Sequence, residues 1–252
     1  MTERTRGPSA ASRALRLLAV AIVAALAYVL FLIVTAPASV VGRILPDVPE
    51  DTVFAGSIWH GSARFGNTAR VGWDFDAAAS RAALAPVFAV EVTGPDTRLT
   101  GWASAGPMPR PTGVTLRDVR GRAGWSLAMA AVPDLTIRCT PIATVDLAAV
   151  TLRQDRTVHA EGTLRSPAGT CRNLARPDMP PVAVPPLVAI ARTDAAGAAQ
   201  AVLATRDAPD VTLAEARLDD RAVLTLTVRP EGARMVPGLP TAFPIVVEMP
   251  LR

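Results

Sequence analysis

The chain has 252 residues, of which 50% are apolar and 19% charged, which excludes a disordered chain and suits one sizeable domain, or two small ones, with a tail. All 26 basic residues are Arg, so lysine nucleophiles and Schiff-base chemistry are excluded, and two His (His60, His159) with two Cys (Cys139, Cys171) are too few for a compact four-ligand zinc motif. Of the net charge of +4, the tail before residue 17 supplies +3 (Arg4, Arg6, Arg13 and Arg16 against Glu3); the balanced remainder argues against nucleic acid as a partner.

Leu17 to Val34 is an unbroken apolar run, followed by Thr35 and Ala36. About 20 helical residues cross a hydrocarbon core of about 30 Å, so a single transmembrane helix is expected over 17–36. Four Arg precede it and one, Arg43, follows closely. The positive-inside rule puts residues 1–16 in the cytoplasm and everything after about residue 37 outside. Ala36-Pro37-Ala38 offers a signal-peptidase site. The run exceeds an ordinary signal-peptide core, which favours an uncleaved anchor. A connector with Pro37, Pro46 and Pro49 is expected over 37–52, and a β domain over 53–252.

Strand signals begin at Val53. Val71 to Asp76 alternates, with Val71, Trp73 and Phe75 on one face. Ala77 to Leu84 reads as a helical turn or two, ended before Pro86. Val87–Thr93, Thr97–Ala103, Val114–Val119 and Ala123–Met129 read as strands. Thr144–Leu152 and Thr157–Leu164 flank a polar turn and form a hairpin. Val211–Leu218 and Ala222–Arg229 form another around Asp219-Asp220-Arg221. Ile245–Glu248 is a last short strand. Five prolines between Pro177 and Pro186 suggest a stiff extended connector, at 177–186, between two groups of strands. The expected fold is mainly β: an N-terminal single transmembrane α-helix followed by a curved antiparallel β-sheet domain.

Few residues carry chemical signals. Cys139 lies in a strand-like stretch and Cys171 in a turn-rich one. In an oxidising compartment they can pair, closing a loop of about 30 residues worth about 3 to 4 kcal/mol; unpaired structural thiols are the alternative. His60 and Ser62 stand two apart on a strand without an obvious orienting acid, which disfavours catalysis. His159 falls on a polar strand face, and Asp219-Asp220 suits a turn. The chain shows no nucleophile elbow, phosphate loop or zinc-protease motif, so no enzyme activity, cofactor or metal is expected. Trp59, Trp73, Trp102 and Trp125 all fall in the first half and fill either a core or an apolar groove. Phe54 and Ile58 on one strand face, with Trp59, Ala63 and Phe65 on the other, suggest a sheet covered on both sides or curled around a cavity. Gly56 and Gly61 flank Trp59, which suggests a bulge or the close approach of another backbone.

The order of features is an Arg-flanked helix, a Pro-containing connector, Phe54-Ala55-Gly56-Ser57-Ile58-Trp59-His60-Gly61-Ser62-Ala63, then Val71-Gly72-Trp73. It resembles the type II secretion system protein N family of Gram-negative bacteria, most firmly over residues 14–103. Ala77–Pro86 stands where that family has a Leu-rich segment but is poorer in Leu, and His159 to Leu164 is similar to a later Gly-Thr strand. The Cys pair and the Pro-rich stretch have no counterpart. The resemblance implies a non-catalytic, single-pass inner-membrane protein with a periplasmic β domain that contacts other secretion subunits or exported substrate. A likeness to AsmA-like envelope proteins supplies the alternative, a lipid-binding or lipid-transfer module with a hydrophobic groove.

Overall fold

The computed structural model describes residues 10–44, 51–66, 68–106, 113–131, 136–153, 158–195, 197–219 and 223–250. Most of the proposed tail, together with Pro46, Pro49 and residues 154–157 and 220–222, therefore lies outside the described residues.

Helix α1 (Ala10–Val34) and the short α2 (Ser39–Ile44) come first. The chain then lays down β1 (Thr52–Gly56), β2 (His60–Phe65), β3 (Ala69–Phe75), α3 (Ala77–Ala83), β4 (Val87–Thr93), β5 (Arg98–Ala105), β6 (Gly113–Ala123) and α4 (Trp125–Ala131). Next are β7 (Ile137–Cys139), β8 (Ala143–Arg153), β9 (Val158–Ser166), β10 (Gly169–Asn173), β11 (Val182–Val184), β12 (Leu187–Thr193) and β13 (Ala199–Thr205). The chain closes with β14 (Ala208–Leu218), β15 (Val223–Val228), α5 (Pro230–Ala233) and β16 (Ile245–Pro250).

One antiparallel sheet of 13 strands carries the fold, in the order β1-β2-β3-β4-β5-β6-β8-β9-β12-β13-β14-β15-β16. The strands omitted from it form a second sheet, β11-β10-β7. Register places the side chains of the large sheet on two unlike faces. One row runs Ala63↔Val71↔Val92↔Leu99↔Gly121↔Val145↔Leu164↔Ala189↔Leu203↔Ala214↔Val228↔Ile245. Glycine interrupts this row only where two backbones come close: a Cβ on Gly121 would lie 2.1 Å from the Arg98 carbonyl oxygen. The opposite face carries His60, Asp74, Glu91, Arg98, Arg120 and Asp146, with ion pairs Arg98–Glu91 and Arg120–Asp146 at 3.1 Å. Such exposed pairs contribute about 0 to 1 kcal/mol each.

The apolar face is half-buried along most of its length, and no large side chain in the described residues is fully enclosed. That is the burial of a single-layer sheet whose apolar side has no continuous second layer. Bulges at Thr100/Trp102, Leu147/Ala149 and Leu203/Thr205 interrupt the register, and bulges sharpen local twist and bend the strand.

Three local expectations are corrected. Ala123–Met129 is not a strand: the chain leaves β6 and enters α4 at Trp125. Its residues, Trp-Ser-Leu-Ala-Met-Ala-Ala, contain no β-branched side chain and several good helix formers. The Pro-rich stretch does not divide the strands into separate groups, because β9 pairs directly with β12 across it; it holds β11 and returns the chain from the small sheet. Cys171 lies in strand β10, not in a turn.

Among the described residues no helix is long and apolar enough to cross a membrane. The backbone of α1 runs for 25 residues. Its side chains are described from Ala19 onward, and each of them as far as Val34 is exposed.

Candidate interaction site at the helix–sheet junction

The residues around Trp59 form a tight reversal rather than one continuous strand. β1 ends at Gly56 with φ +86°, a conformation that favours glycine. Ser57, Ile58 and Trp59 turn the chain into His60. The Ser57 hydroxyl accepts from the backbone N–H groups of Trp59 (3.2 Å) and His60 (3.1 Å), and Ser57 N–H donates to the His60 carbonyl at 2.9 Å. The reversal places Phe54, Ala63 and Phe65 on one face of the sheet. The apolar residues expected on two faces are therefore one face plus a turn, which removes that argument for a sheet covered on both sides.

Gly61 sits against Trp73 of β3. A Cβ there would lie 2.5 Å from the indole Cζ2 and 2.6 Å from the Ser57 carbonyl oxygen. The bare glycine lets the indole slide beneath the turn, where Trp73 Nε1–H is shared between the carbonyls of Ser57 (3.2 Å) and Ile58 (3.1 Å). A turn whose carbonyls point inward is thus satisfied by a side chain from a neighbouring strand.

The end of α1 docks on the same turn. The last carbonyls of a helix lack intrahelical partners. Trp59 Nε1–H donates to one of them, Ile33 O, at 2.9 Å. Ile58 N–H donates to Ala36 O and Ala38 N–H to Gly56 O, each at 3.0 Å, and Ala38 is 1% exposed. The Trp59 ring packs edge-on against Phe75 (5.0 Å between centroids), which packs against Phe88 (5.5 Å). Phe75 and Phe88 belong to the apolar face. The helix end, the turn and the apolar face therefore meet at one corner of the sheet.

The remaining tryptophans go elsewhere. Trp102 projects from the polar face, opposite Ala89 and Arg117, and is 39% exposed. Trp125 opens α4, and its buried Nε1 has no hydrogen-bond partner among the described residues. The four Trp line neither one groove nor one core, because Trp73 and Trp102 occupy strand positions on opposite faces, Trp59 lies in the turn before β2 and Trp125 opens a helix.

His60 does have an acid beside it: its Nδ1 lies 2.6 Å from Asp74 Oδ1, directly across the β2–β3 pair. The partner is 14 residues away in sequence, so the absence of a nearby acid is a poor guide. The His60 and Asp74 side chains are 67% and 70% exposed, and the Ser62 hydroxyl accepts from Arg70 Nη2 at 3.1 Å. The base–nucleophile contact of an activated serine is not formed among the described residues. His159 is exposed and bonded through Nδ1 to Thr193 Oγ1 at 2.8 Å. No group of three or more His, Cys, Asp or Glu that could hold a metal occurs among the described residues.

Cys139 and Cys171 are bonded to each other across the β7–β10 register pair, with Cα atoms 4.1 Å apart. Thr140 and Thr170 continue the pairing, with Thr140 N–H donating to Thr170 O at 2.9 Å and Thr170 N–H to Thr140 Oγ1 at 3.1 Å.

A polar cluster that no local sequence signal marks joins the β4–β5 turn to α4. Asp96 accepts from the Ser126 N–H at 3.0 Å, from the Ser126 hydroxyl and from Thr97 Oγ1 at 3.2 Å, and Gly124 N–H donates to Thr97 Oγ1 at 3.0 Å. Asp96 thus does from another element what an N-cap residue does locally. Its partial burial raises the carboxyl pKa, but the hydrogen bonds from Ser126, Trp125 and Thr97 outweigh that and leave it below the ordinary value. A depressed carboxylate pKa stabilises the fold above the unfolded-state value of about 3.9, and the contribution disappears as pH falls through the folded-state value. Asp96→Asn is therefore expected to lower the thermal midpoint at pH 7, with the gap from wild type closing below about pH 4. A gap that is the same at pH 7 and pH 3 would contradict this.

No family model matches the chain, and no curated protein and no solved structure matches it.

Proposed function

We propose that the chain is a non-catalytic, inner-membrane-anchored accessory component of a type II protein secretion system, in which the apolar segment 17–36 is the anchor and the β domain meets other subunits or exported substrate in the periplasm. The observation that carries this reading is the junction. The glycines and tryptophans on which the resemblance rests (Gly56, Trp59, Gly61 and Trp73) form one unit that fastens the helix end to the sheet. The apolar, exposed side chains of α1 from Val20 to Val34 and the Arg-rich flank before them support the anchoring. Exposed turns and strand edges are the means of contact, because unpaired backbone groups recruit strands.

A second reading is supported by the half-buried apolar face: a lipid-handling module, with acyl chains lying along the sheet.

Two measurements test the proposal. A reporter enzyme active only in the periplasm, fused after Arg252, is expected to be active; a cytoplasmic result would overturn the topology. Deleting the gene is expected to lower export of type II substrates, and restoring the chain to recover it. Unchanged export, together with specific lipid bound to the detergent-purified protein, would replace the secretion reading with the lipid one.

A further inference from the structure

We infer that β16 is a self-complementary sheet edge and that the partner it takes is β16 of a second copy of this chain, paired antiparallel about a two-fold axis at Val247. This does not depend on which envelope system the chain serves.

The two edges of the large sheet differ. The β1 edge is covered: Gly56 O accepts from Ala38 N–H, Pro37 bridges to Ser57, and Gly42 of α2 lies against the Phe54 ring. At the other end Val246, Val247 and Met249 are 58%, 41% and 41% exposed.

The direction of each backbone group on β16 follows from its neighbours. Val223 N–H donates to Asp219 Oδ1, Asp219 N–H donates to Val223 O, and Arg229 N–H donates to Leu213 O. Odd-numbered residues along β15 therefore turn their backbone groups toward β14, and even-numbered ones toward β16. Leu224, Leu226 and Val228 stand opposite Met249, Val247 and Ile245. Those three residues of β16 spend their N–H and C=O inward. By the alternation of an antiparallel ladder, Val246 and Glu248 turn both groups outward. Positions 244 and 250 also turn outward, and both are proline, with a carbonyl but no N–H.

The outward pattern is thus acceptor only, donor and acceptor, donor and acceptor, acceptor only, symmetric about Val247. A second copy rotated about that point pairs Val246 with Glu248 of the other chain, and Glu248 with Val246, satisfying every outward N–H. Each proline faces the other copy's opposite proline, where no donor is lost. A shift of two residues either way sets Val246 or Glu248 against a proline, and centring on Glu248 also opposes two carboxylates. Both faces extend consistently: Val247 meets Val247, and Ile245 meets Met249, on the apolar side. The prolines also confine the contact to this short window.

The test uses the full-length protein in detergent micelles. Cys139 and Cys171 are bonded to each other and no free cysteine is present among the described residues, so an introduced thiol has no competing partner. Val247 pairs with itself at a non-hydrogen-bonded position, where Cα atoms lie about 4.5 Å apart, within disulfide range. Val247→Cys is expected to oxidise rapidly to a covalent dimer. Ile245→Cys alone should not cross-link, because it faces Met249 of the other copy, but mixed with Met249→Cys it should form a covalent heterodimer. Light scattering should give a dimer for the wild type and a monomer for Val246→Pro, which deletes an outward N–H and no bond within the fold. A monomeric wild type, or a Val247→Cys protein that does not cross-link, would overturn the inference. So would a Val247→Cys thiol that is captured by a different protein in cells and never by its own copy.

Discussion

Gly61→Ala is expected to destabilise the domain by about 2 to 3 kcal/mol, in the upper range for overpacking. The new methyl would meet the Trp73 ring at 2.5 Å and the Ser57 carbonyl oxygen at 2.6 Å. One neighbour is a rigid indole held by two carbonyls and the other is backbone, so neither yields cheaply. Trp73→Ala should cost about 3 kcal/mol, at the low end for a large aromatic because Trp73 is half-buried. The Ser57 and Ile58 carbonyls would then lose their shared donor. The double variant should cost less than the sum, since removing the indole relieves one of the two clashes. Denaturant unfolding of the four proteins measures this. A Gly61→Ala midpoint equal to wild type would show that the turn yields to the extra methyl. Trp59→Ala should have a smaller effect on stability than Trp73→Ala. Trp59 is half-buried, and its indole N–H serves the helix end rather than the sheet. A Trp59 buried in a packed core would instead cost about 3 to 5 kcal/mol.

Replacing Cys139 and Cys171 together by Ser is expected to remove about 3 to 4 kcal/mol, the chain-entropy value for a loop of this length. The sequence separation is 32 residues. The small sheet has little else to hold it: β7 and β11 are three-residue strands on either side of β10. Asn173, at the end of β10, ties it to the segment after α5 through a hydrogen bond from Nδ2 to Pro237 O at 3.1 Å. The loss should therefore be local first, with backbone amides of β7, β10 and β11 exchanging before those of the large sheet. Hydrogen exchange on wild type and the double variant distinguishes this. Equal exchange across both sheets in the variant would mean that the two sheets unfold as one unit. Thiol labelling of the denatured, unreduced wild type should find no reactive cysteine.

Local pattern is enough wherever a residue's partner lies close by in the chain. Val71, Trp73 and Phe75 alternate because β3 has one apolar face, and the apolar run of β4 has the strand's own bounds, Val87–Thr93. The hairpins β8–β9 and β14–β15 are legible from their flanking runs. Helix α3 is legible as well, since Asp76 caps it from the adjacent position, accepting from Ala79 N–H at 2.8 Å. The glycines flanking Trp59 announce a close contact because a glycine beside a large aromatic in a strand-like stretch otherwise only weakens pairing.

Tertiary structure decides whatever depends on a distant partner. Asp96 caps α4 from 30 residues away, so no local signal marks that helix start, and the segment reads as a strand. The acid beside His60 comes from the next strand, and the donor that satisfies the Ser57 turn comes from Trp73. The sheet stays continuous because β6 pairs with β8 and β9 with β12 while β7, β10 and β11 leave to form their own sheet. Alternation along one strand sets which side chains share a face, but not which strand lies beside it. Hence the apolar residues of each strand are visible in the sequence, while their union into one half-buried face ending at the junction with α1 depends on long-range pairing.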